Sequence, residues 1–200
     1  MPNQSLLLQT LSRFAQALPL SYDVEAMLPD LADSVVAVLG LAGSGVTLAE
    51  NDRLVFVAAA GEGLAELERT QDESQTGPCV DAFTTGEVVT VSDLPTASDR
   101  WPEYVEVASR LGVRSVAGIP MKLADQSFGA LNLYCTSPRT WGEDDLNAAR
   151  VLADVATSYL INSSKIRQLE QLQAQGAGPF RSRSLSTGRS TSSSSGARAV

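Results

Sequence analysis

Strand-like segments joined by very short turns place the strongest constraint on the fold of this chain. Five segments have the β-branched or alternating pattern that is typical of strands: 45–50, 53–60, 87–92, 115–122 and 127–136. Asn51-Asp52 joins the first two and Asp125-Gln126 joins the last two, and connections this short join antiparallel neighbours. Helix-like segments precede and follow the strands. The pattern predicts an α+β fold, in which an antiparallel sheet is sandwiched between helices.

The last strand has a clear alternation of side chains. Leu131, Leu133 and Cys135 fall on one face of the strand. Ala130, Asn132 and Tyr134 fall on the other. Successive side chains of a strand point to opposite sides of the sheet, so this strand is expected to contact a different layer with each set.

The two ends of the folded body are predicted to be helical and to form a homodimer. Residues 5–18 have an apolar stripe, and a helix of about thirty residues follows Trp141-Gly142. This last helix has apolar residues at alternating spacings of four and three, which is the pattern of a coiled-coil seam. Its first half is expected to pack on the sheet and its second half to project. The predicted dimerisation residues are Leu7, Leu11, Phe14, Leu152, Val155, Tyr159, Ile166 and Leu169.

Charge divides the chain into a folded body and a tail. All 23 acidic residues and 11 of the 15 basic residues lie before residue 172, so this part has a net charge of −12. Such a body repels phosphate backbones, and we expect no nucleic-acid binding by it. Residues 176–200 are rich in serine, glycine and arginine, and are predicted to be a disordered tail that binds nucleic acid at most weakly and without specificity. The predicted domain is therefore 1–175.

Several classes of chemistry are excluded or disfavoured by composition. The chain has no histidine, which removes His-dependent catalytic triads, proximal-His haem ligation and the usual zinc sites, and we expect no cofactor and no metal. Its two cysteines are too few for a disulfide framework and fit a reducing compartment. No apolar run approaches the length of a membrane span, and no secretion signal is evident. The predicted location is the cytoplasm.

The segment 77–120 has the most functional information, because a helix, a strand, an aromatic loop and another strand follow one another with almost no spacer. Together with GALNLYC at 129–135, it resembles the GAF sensor domain, in the variety that actinobacterial regulators join to an RNA-binding ANTAR output domain. The resemblance covers roughly residues 5–173. It implies an α/β/α sandwich that binds a small molecule and passes the signal through its terminal helices to transcription. The residues after 173 do not match an ANTAR domain, and we hypothesise that the tail is translated out of frame.

The candidate ligand-binding residues lie in this segment. The aromatic loop, Trp101 to Tyr104, offers two large rings that can cover a pocket, and Arg100 and Arg114 are candidates to hold an anionic group. The alternative is that the two rings only fill space and that both arginines pair with Asp93, Asp99 or Glu103. The full candidate set is Cys79, Phe83, Trp101, Tyr104, Arg114 and Ser115.

Cys79 supports a different hypothesis, because a thiol near the start of a helix is favoured as a thiolate and can act as a redox sensor or reductase. The alternative is an inert buried cysteine. Some GAF-fold proteins reduce free methionine sulfoxide with a cysteine before the fourth strand, but this chain has Val107, Ala108 and Ser109 in that region. It also lacks the signatures of GAF domains that bind cyclic nucleotides or bilins.

These observations predict a non-enzymatic sensory module that binds an unknown small molecule and works as a homodimer. Two alternatives remain open. One is a dimerisation scaffold without a ligand, and the other is a redox sensor or reductase centred on Cys79.

Overall fold

The computed structural model describes residues 1–18, 24–51 and 53–176. Within these ranges the helices are α1 Gln4–Ala17, α2 Val24–Leu39, α3 Leu64–Ser74, α4 Pro78–Thr85, α5 Pro102–Arg110 and α6 Glu143–Gly176. The strands are β1 Gly43–Glu50, β2 Arg53–Ala60, β3 Val89–Val91, β4 Ser115–Leu123 and β5 Gln126–Cys135, and a 3-10 turn spans Leu94–Ala97. The predicted disordered tail, apart from Gly176, lies outside the described residues, as does Asp52 of the first predicted turn.

The strands form one antiparallel sheet in the order β2-β1-β5-β4-β3, which confirms the predicted fold class. β5 lies at the centre, where Leu131 pairs with Val46 of β1 and Asn132 pairs with Gly118 of β4. The turn between β4 and β5 is at Ala124-Asp125, one residue earlier than the sequence suggests, and Ala124 adopts a φ of +51° there. A short turn with positive φ fits the twist of antiparallel neighbours.

Helices cover both faces of the sheet, and β5 contacts both layers as its alternation predicts. Leu131 and Leu133 join the larger core with α1, α2 and α6. Tyr134 points to the opposite face, where it packs with residues of α3 and α5, including Leu67 and Tyr104. A shift of this central strand therefore changes the packing in both helical layers.

The prediction of an aromatic loop at Trp101–Tyr104 is wrong in part, because most of this segment is helical. Trp101 immediately precedes α5, and Pro102 is the first residue of that helix. Proline is favoured there because its fixed φ suits a helix start and its missing N–H would have no partner inside the helix. Tyr104 therefore belongs to a regular helix, which gives it a fixed position over the sheet.

The predicted dimerisation seam needs correction at Phe14, Leu152 and Tyr159. All three are buried within one copy of the chain, at 3%, 0% and 3% exposure. The rings of Phe14 and Tyr159 meet edge to face at a centroid distance of 6.1 Å, and the Tyr159 hydroxyl donates a hydrogen bond of 3.0 Å to the Phe14 carbonyl oxygen. These contacts fix α1 to α6, so the three side chains pack mainly within one copy, although Phe14 and Tyr159 also line a groove between the two helices.

The second half of α6 projects from the body, as expected. Leu169 and Leu172 are 57% and 58% exposed, and Ile166 is half-buried. α6 has 34 residues, yet neither it nor any other helix in the described ranges combines the length and apolar character that crossing a membrane requires.

Candidate functional site

A cluster of polar side chains is buried between the sheet and helices α3, α4 and α5. We call it the Glu68 cluster, and it consists of Thr47, Glu68, Gln71, Cys79, Tyr104, Asn132 and Tyr134. None of these residues is more than 1% exposed. Groups of this kind are placed so deep in a protein only when hydrogen bonds or a bound partner compensate for the loss of water.

The Glu68 carboxyl group is the centre of this cluster. Its Oε1 accepts a hydrogen bond of 2.6 Å from the Tyr134 hydroxyl. The Asn132 amide nitrogen lies 3.0 Å from both carboxyl oxygens. Gln71, one turn further along α3, donates to Oε2 over a longer distance of 3.4 Å. Neutral donors from β5 and α3 therefore surround an acidic group.

Two further contacts connect this centre to α4 and β1. The side-chain oxygen of Gln71 accepts a hydrogen bond of 3.0 Å from the backbone N–H of Cys79, near the start of α4. The Cys79 sulfur lies 3.4 Å from the Thr47 hydroxyl on β1. The cluster thus joins β1, β5, α3 and α4 through side chains.

Gly45 makes room for Glu68 on the sheet. A Cβ atom on Gly45 would lie only 1.6 Å from Oε1 of Glu68, so any side chain at this position of β1 would displace the carboxyl group. Gly45 pairs with Asn132 of β5 in the sheet. The glycine and the asparagine together form the surface on which the carboxyl group lies.

Burial changes the electrostatics of Glu68. It raises the pKa of this carboxyl group from 4.5 to about 7, and the hydrogen bonds from Tyr134 and Asn132 offset only part of that effect. None of the ion pairs among the described residues includes Glu68. A carboxylate at this position is therefore a buried negative charge without a cation from the part of the chain that the structure describes.

Two polar atoms of the cluster have no hydrogen-bond partner among the described residues. One is the hydroxyl oxygen of Tyr104 and the other is Oδ1 of Asn132. Tyr134 is close to Tyr104, but the two hydroxyls are not placed for a hydrogen bond with each other, and Tyr134 donates its proton to Glu68. An unpaired buried polar atom costs about 1–3 kcal/mol, so these two atoms indicate a missing partner.

Comparison with known proteins identifies the family. The family model described as "GAF domain" matches residues 23–160, well over half of the chain. This chain belongs to the GAF domain family. A search of curated proteins finds none that matches it.

Solved structures agree with the GAF assignment. A GAF domain of a cyanobacteriochrome superposes with a TM-score of 0.59 at 24% identity, covering 74% of this chain and 94% of that one. The free methionine-R-sulfoxide reductase of Neisseria meningitidis, solved with its substrate, gives 0.62 at 20% identity, with coverage of 81% and 92%. The GAF domain of an Acinetobacter phosphoenolpyruvate-protein phosphotransferase gives 0.60 at 15% identity, with coverage of 90% and 99%. At these identities the likeness shows the fold alone.

The GAF fold brings some of the predicted ligand-binding residues together. Cys79 and Tyr104 both belong to the Glu68 cluster, and Trp101 meets the Tyr104 ring edge to face at a centroid distance of 6.2 Å. Phe83 is only partly buried, and it packs near Cys79 and Leu54 on α4's side of the sheet. These positions support the aromatic part of the predicted site.

The predicted basic residues lie elsewhere. Arg114 pairs with Asp93 at 2.7 Å, and Arg100 pairs with Asp81 at 2.5 Å while its guanidinium lies over the Trp101 ring. Both arginine side chains are about half exposed, which places them at the surface. The Ser115 hydroxyl is directed to the carbonyl oxygen of residue 137. The expected anion site is therefore not assembled. Arg114 has the partner that the alternative named, Asp93, whereas Arg100 pairs with an acid outside the predicted set.

Sequence reasoning missed the centre of the site, which is Glu68 with Gln71 and Asn132. Glu68 and Gln71 lie in a strongly charged segment, but each follows an apolar residue, Leu64 or Leu67, by four positions. This helical spacing places them on the apolar face of α3, and it is the signal that could have found them. Asn132 left a signal as well. The alternation of β5 places it on the same face as Tyr134, between strands that are both central to the sheet, and a polar residue in such a place is unusual.

Cys79 is not activated in this GAF domain. Burial raises the pKa of its thiol well above the ordinary value, and the nearby Glu68 raises it further, while hydrogen bonds from Thr47 and Asn132 oppose the change only in part. A thiol that stays protonated and has no exposure is a poor nucleophile. The geometry therefore favours the inert alternative over the redox hypothesis.

Proposed function

We propose that this chain is a non-enzymatic sensory module that binds a small molecule between the sheet and helices α3, α4 and α5. The observation that carries the proposal is the pair of unpartnered atoms, Tyr104 Oη and Asn132 Oδ1, in a site that also contains an uncompensated carboxyl group. A cluster built only for stability would satisfy these atoms internally. GAF domains are a family of sensory, ligand-binding modules in signalling proteins, which agrees with this interpretation.

The route of the signal runs through β5. Asn132 and Tyr134 face the ligand side, whereas Leu131 and Leu133, the neighbouring residues of the same strand, pack in the core with α2 and α6. A ligand that pulls on Asn132 therefore shifts the surface on which α6 packs. Close-packed layers transmit such displacements because they cannot absorb them in voids.

We further propose that the signal is read as a change in a homodimer through α1 and α6. An apolar groove of about 350 Å³ lies along these two helices, and it is lined by Leu11, Ala15, Leu18, Val151 and Val155 among others. With the exposed Leu169 and Leu172 on the projecting half of α6, it gives this helix two apolar regions that a second copy can contact. Leu7 lies on the same helix as Leu11 and is half-buried.

We base the proposed place of this dimer in the cell on the resemblance to GAF-ANTAR regulators. In those proteins the helix that corresponds to α6 leads into an RNA-binding domain and the signal alters transcription termination. We propose that this chain also acts in transcription regulation in the cytoplasm, through a partner that contacts α6. Direct nucleic-acid binding by the body is disfavoured by its net charge of −12.

Native mass spectrometry of the full chain, purified without denaturation and compared with its denatured mass, tests the sensor proposal. A retained small molecule, together with slower hydrogen exchange in α3, α5 and α6 than in the stripped protein, is the expected result. A retained molecule that changes α3 and α5 but leaves α6 unchanged would contradict the signalling route. Bare chains that bind nothing from a metabolite extract would contradict the sensor.

The scaffold hypothesis remains the second candidate, because the groove along α1 and α6 does not depend on a ligand. It predicts a dimer of bare chains whose hydrogen exchange does not respond to metabolite extract. The same experiment therefore separates the two functions.

A further inference from the structure

We infer that the molecule sensed by the Glu68 cluster is a small organic cation that inserts a primary ammonium group between Glu68, Asn132 and Tyr104. This inference rests on the proposed sensory function and names the class of its ligand. It comes from the charges and free hydrogen-bonding atoms of the site.

The charge of the site selects a cation. Glu68 is fully buried, and its donors Tyr134, Asn132 and Gln71 are all neutral. A buried carboxylate is stable only when a cation or strong hydrogen bonds compensate for its desolvation, and removing the partner of such a group is strongly destabilising. In the described residues Arg100, Arg110 and Arg114 are held at the surface by acidic partners other than Glu68.

The free atoms of the site are acceptors. Asn132 Oδ1 only accepts hydrogen bonds, and the Tyr104 hydroxyl oxygen has lone pairs that nothing in the described part of the chain uses. With an oxygen of Glu68 they provide three acceptors from β5, α5 and α3. An ammonium group has three N–H donors and no acceptor, so its needs match this set.

Other ligand classes fit less well. An anion would face the Glu68 carboxylate and the Oδ1 atom of Asn132, both of which repel it. A neutral ligand can donate to the free atoms but leaves the charge of Glu68 without compensation. A planar guanidinium suits a carboxylate that offers two free oxygens side by side, whereas both oxygens of Glu68 already accept hydrogen bonds.

One hydrogen bond to the Glu68 carboxyl group is weak enough for an ammonium group to replace it. Gln71 donates to Oε2 of Glu68 at 3.4 Å, the longest of the contacts to this carboxyl group. An N–H of the ligand can replace this weak bond while Gln71 keeps its bond to the backbone of Cys79. The rings of Tyr104 and Trp101 would cover the organic part of the ligand, and aromatic faces also attract cations.

The test uses the full chain and matched probes that differ only in charge. n-Butylamine is compared with n-butanol, and phenethylamine with phenethyl alcohol, at pH 8, where the amines are protonated. Affinity is measured by calorimetric titration, and the carboxyl ¹³C shift of Glu68 is followed by NMR in protein labelled at glutamate. We expect at least one amine to bind ten or more times tighter than its alcohol and to move the Glu68 signal.

Two variants of α3 make the test specific. Glu68→Gln keeps the shape of the side chain and removes its charge, and we expect it to lose at least tenfold in affinity for the amine. Glu66→Gln removes an exposed acid of the same helix that pairs with Arg110, and we expect it to bind as the natural chain does. If Glu68→Gln does not fold, the movement of the Glu68 signal in the natural chain decides the question.

Several results would overturn the inference. These are equal binding of amine and alcohol in both pairs, an unmoved Glu68 signal at saturating amine, or amine binding that Glu68→Gln leaves intact. The outcome for the ligand class can be distinguished from the outcome for the proposed function. A retained neutral or anionic molecule refutes the cation and keeps the sensor, whereas amine binding at Glu68 without any response in α6 keeps the cation and refutes the proposed signalling route.

Discussion

The Tyr134 hydroxyl, on the central strand of the sheet, donates a 2.6 Å hydrogen bond to the buried carboxyl group of Glu68 on α3. Tyr104, on α5, is equally buried but its hydroxyl has no hydrogen-bond partner among the described residues. The two tyrosines belong to the same core cluster and differ in what their hydroxyls do. One holds the acid in place, and the other is available to a ligand.

This difference predicts opposite effects of the same substitution. Tyr134→Phe should lower the free energy of unfolding by about 2 kcal/mol, because a hydrogen bond to a buried acid is lost. Tyr104→Phe should leave it unchanged or raise it by about 1 kcal/mol, because an unpaired buried hydroxyl is removed. Urea unfolding of the two variants beside the natural chain measures both. Equal destabilisation by the two changes would refute the assignment of the free hydroxyl.

The raised pKa of Glu68 predicts a dependence of stability on pH. Folded Glu68 has a pKa of about 7 against an ordinary value of 4.5, so between these values the native state holds a proton that the unfolded chain releases. Stability therefore falls as the pH rises from about 4.5 to about 7, by up to about 3 kcal/mol, and then levels off. The thiol of Cys79 and the hydroxyls of Tyr104 and Tyr134 face this group, and their raised pKa values keep them protonated throughout.

The measurement is the difference between the natural chain and Glu68→Gln in urea unfolding from pH 4.5 to 8. This difference cancels the contributions of the other acids. We expect the variant to gain stability relative to the natural chain as the pH rises through this window, and Glu66→Gln to show no such gain. Curves that stay parallel for Glu68→Gln would mean that Glu68 titrates normally.

Gly118 is predicted to be essential for the close packing of α4 on the sheet. A Cβ atom at this position of β4 would lie 2.7 Å from the carbonyl oxygen of Pro78, which is backbone and cannot move without shifting the helix. Gly118→Ala should therefore destabilise the protein by about 1 to 3 kcal/mol. Gly142→Ala is the control, since a Cβ atom there meets nothing within 4 Å. Gly142 directly precedes α6, so this substitution affects only the helix start and should lower the free energy of unfolding by no more than about 1 kcal/mol. Thermal and urea unfolding compare the two, and similar losses would argue against the close approach of α4.

Cys79 is predicted to be unreactive in the folded protein. Its thiol is fully buried and its pKa is raised, so modification requires a local opening. A Cys135→Ser background isolates its signal, and labelling by a thiol reagent is followed against pH. We expect labelling much slower than that of the urea-unfolded chain. Labelling as fast as in the unfolded chain at neutral pH would restore the redox hypothesis.

The projecting half of α6 is predicted to mediate self-association. Replacing Leu169 and Leu172 with aspartate should convert a dimer to a monomer, because it places charges in an apolar contact. The control replaces the exposed Gln168 and Gln171 with aspartate, which adds the same charge without removing apolar side chains. Analytical ultracentrifugation gives the mass of each variant. Dimers that survive the leucine changes, or that are lost equally in the control, would refute the coiled-coil contact.

Sequence patterns determined the sheet and its layers because those depend on periodicity and on short connections. The alternation of Leu131 and Leu133 with Asn132 and Tyr134 is local, and it is the same in the folded protein. The projecting end of α6 was equally predictable from its heptad spacing. The seam itself was not, because Phe14 and Tyr159 have the same apolar character whether they contact a second copy or each other.

The centre of the site was decided by the tertiary structure. Glu68 is buried because α3 crosses the sheet where Gly45 leaves a space, and these two residues are far apart in the sequence. The sequence by itself determined which residues line each face of a strand or helix, since a side chain's direction follows from the local backbone. That rule places Glu68 on the apolar face of α3 with Leu64 and Leu67. Its loss of water, its raised pKa and its need for a cation depend on what packs against that face, and only the folded chain sets that.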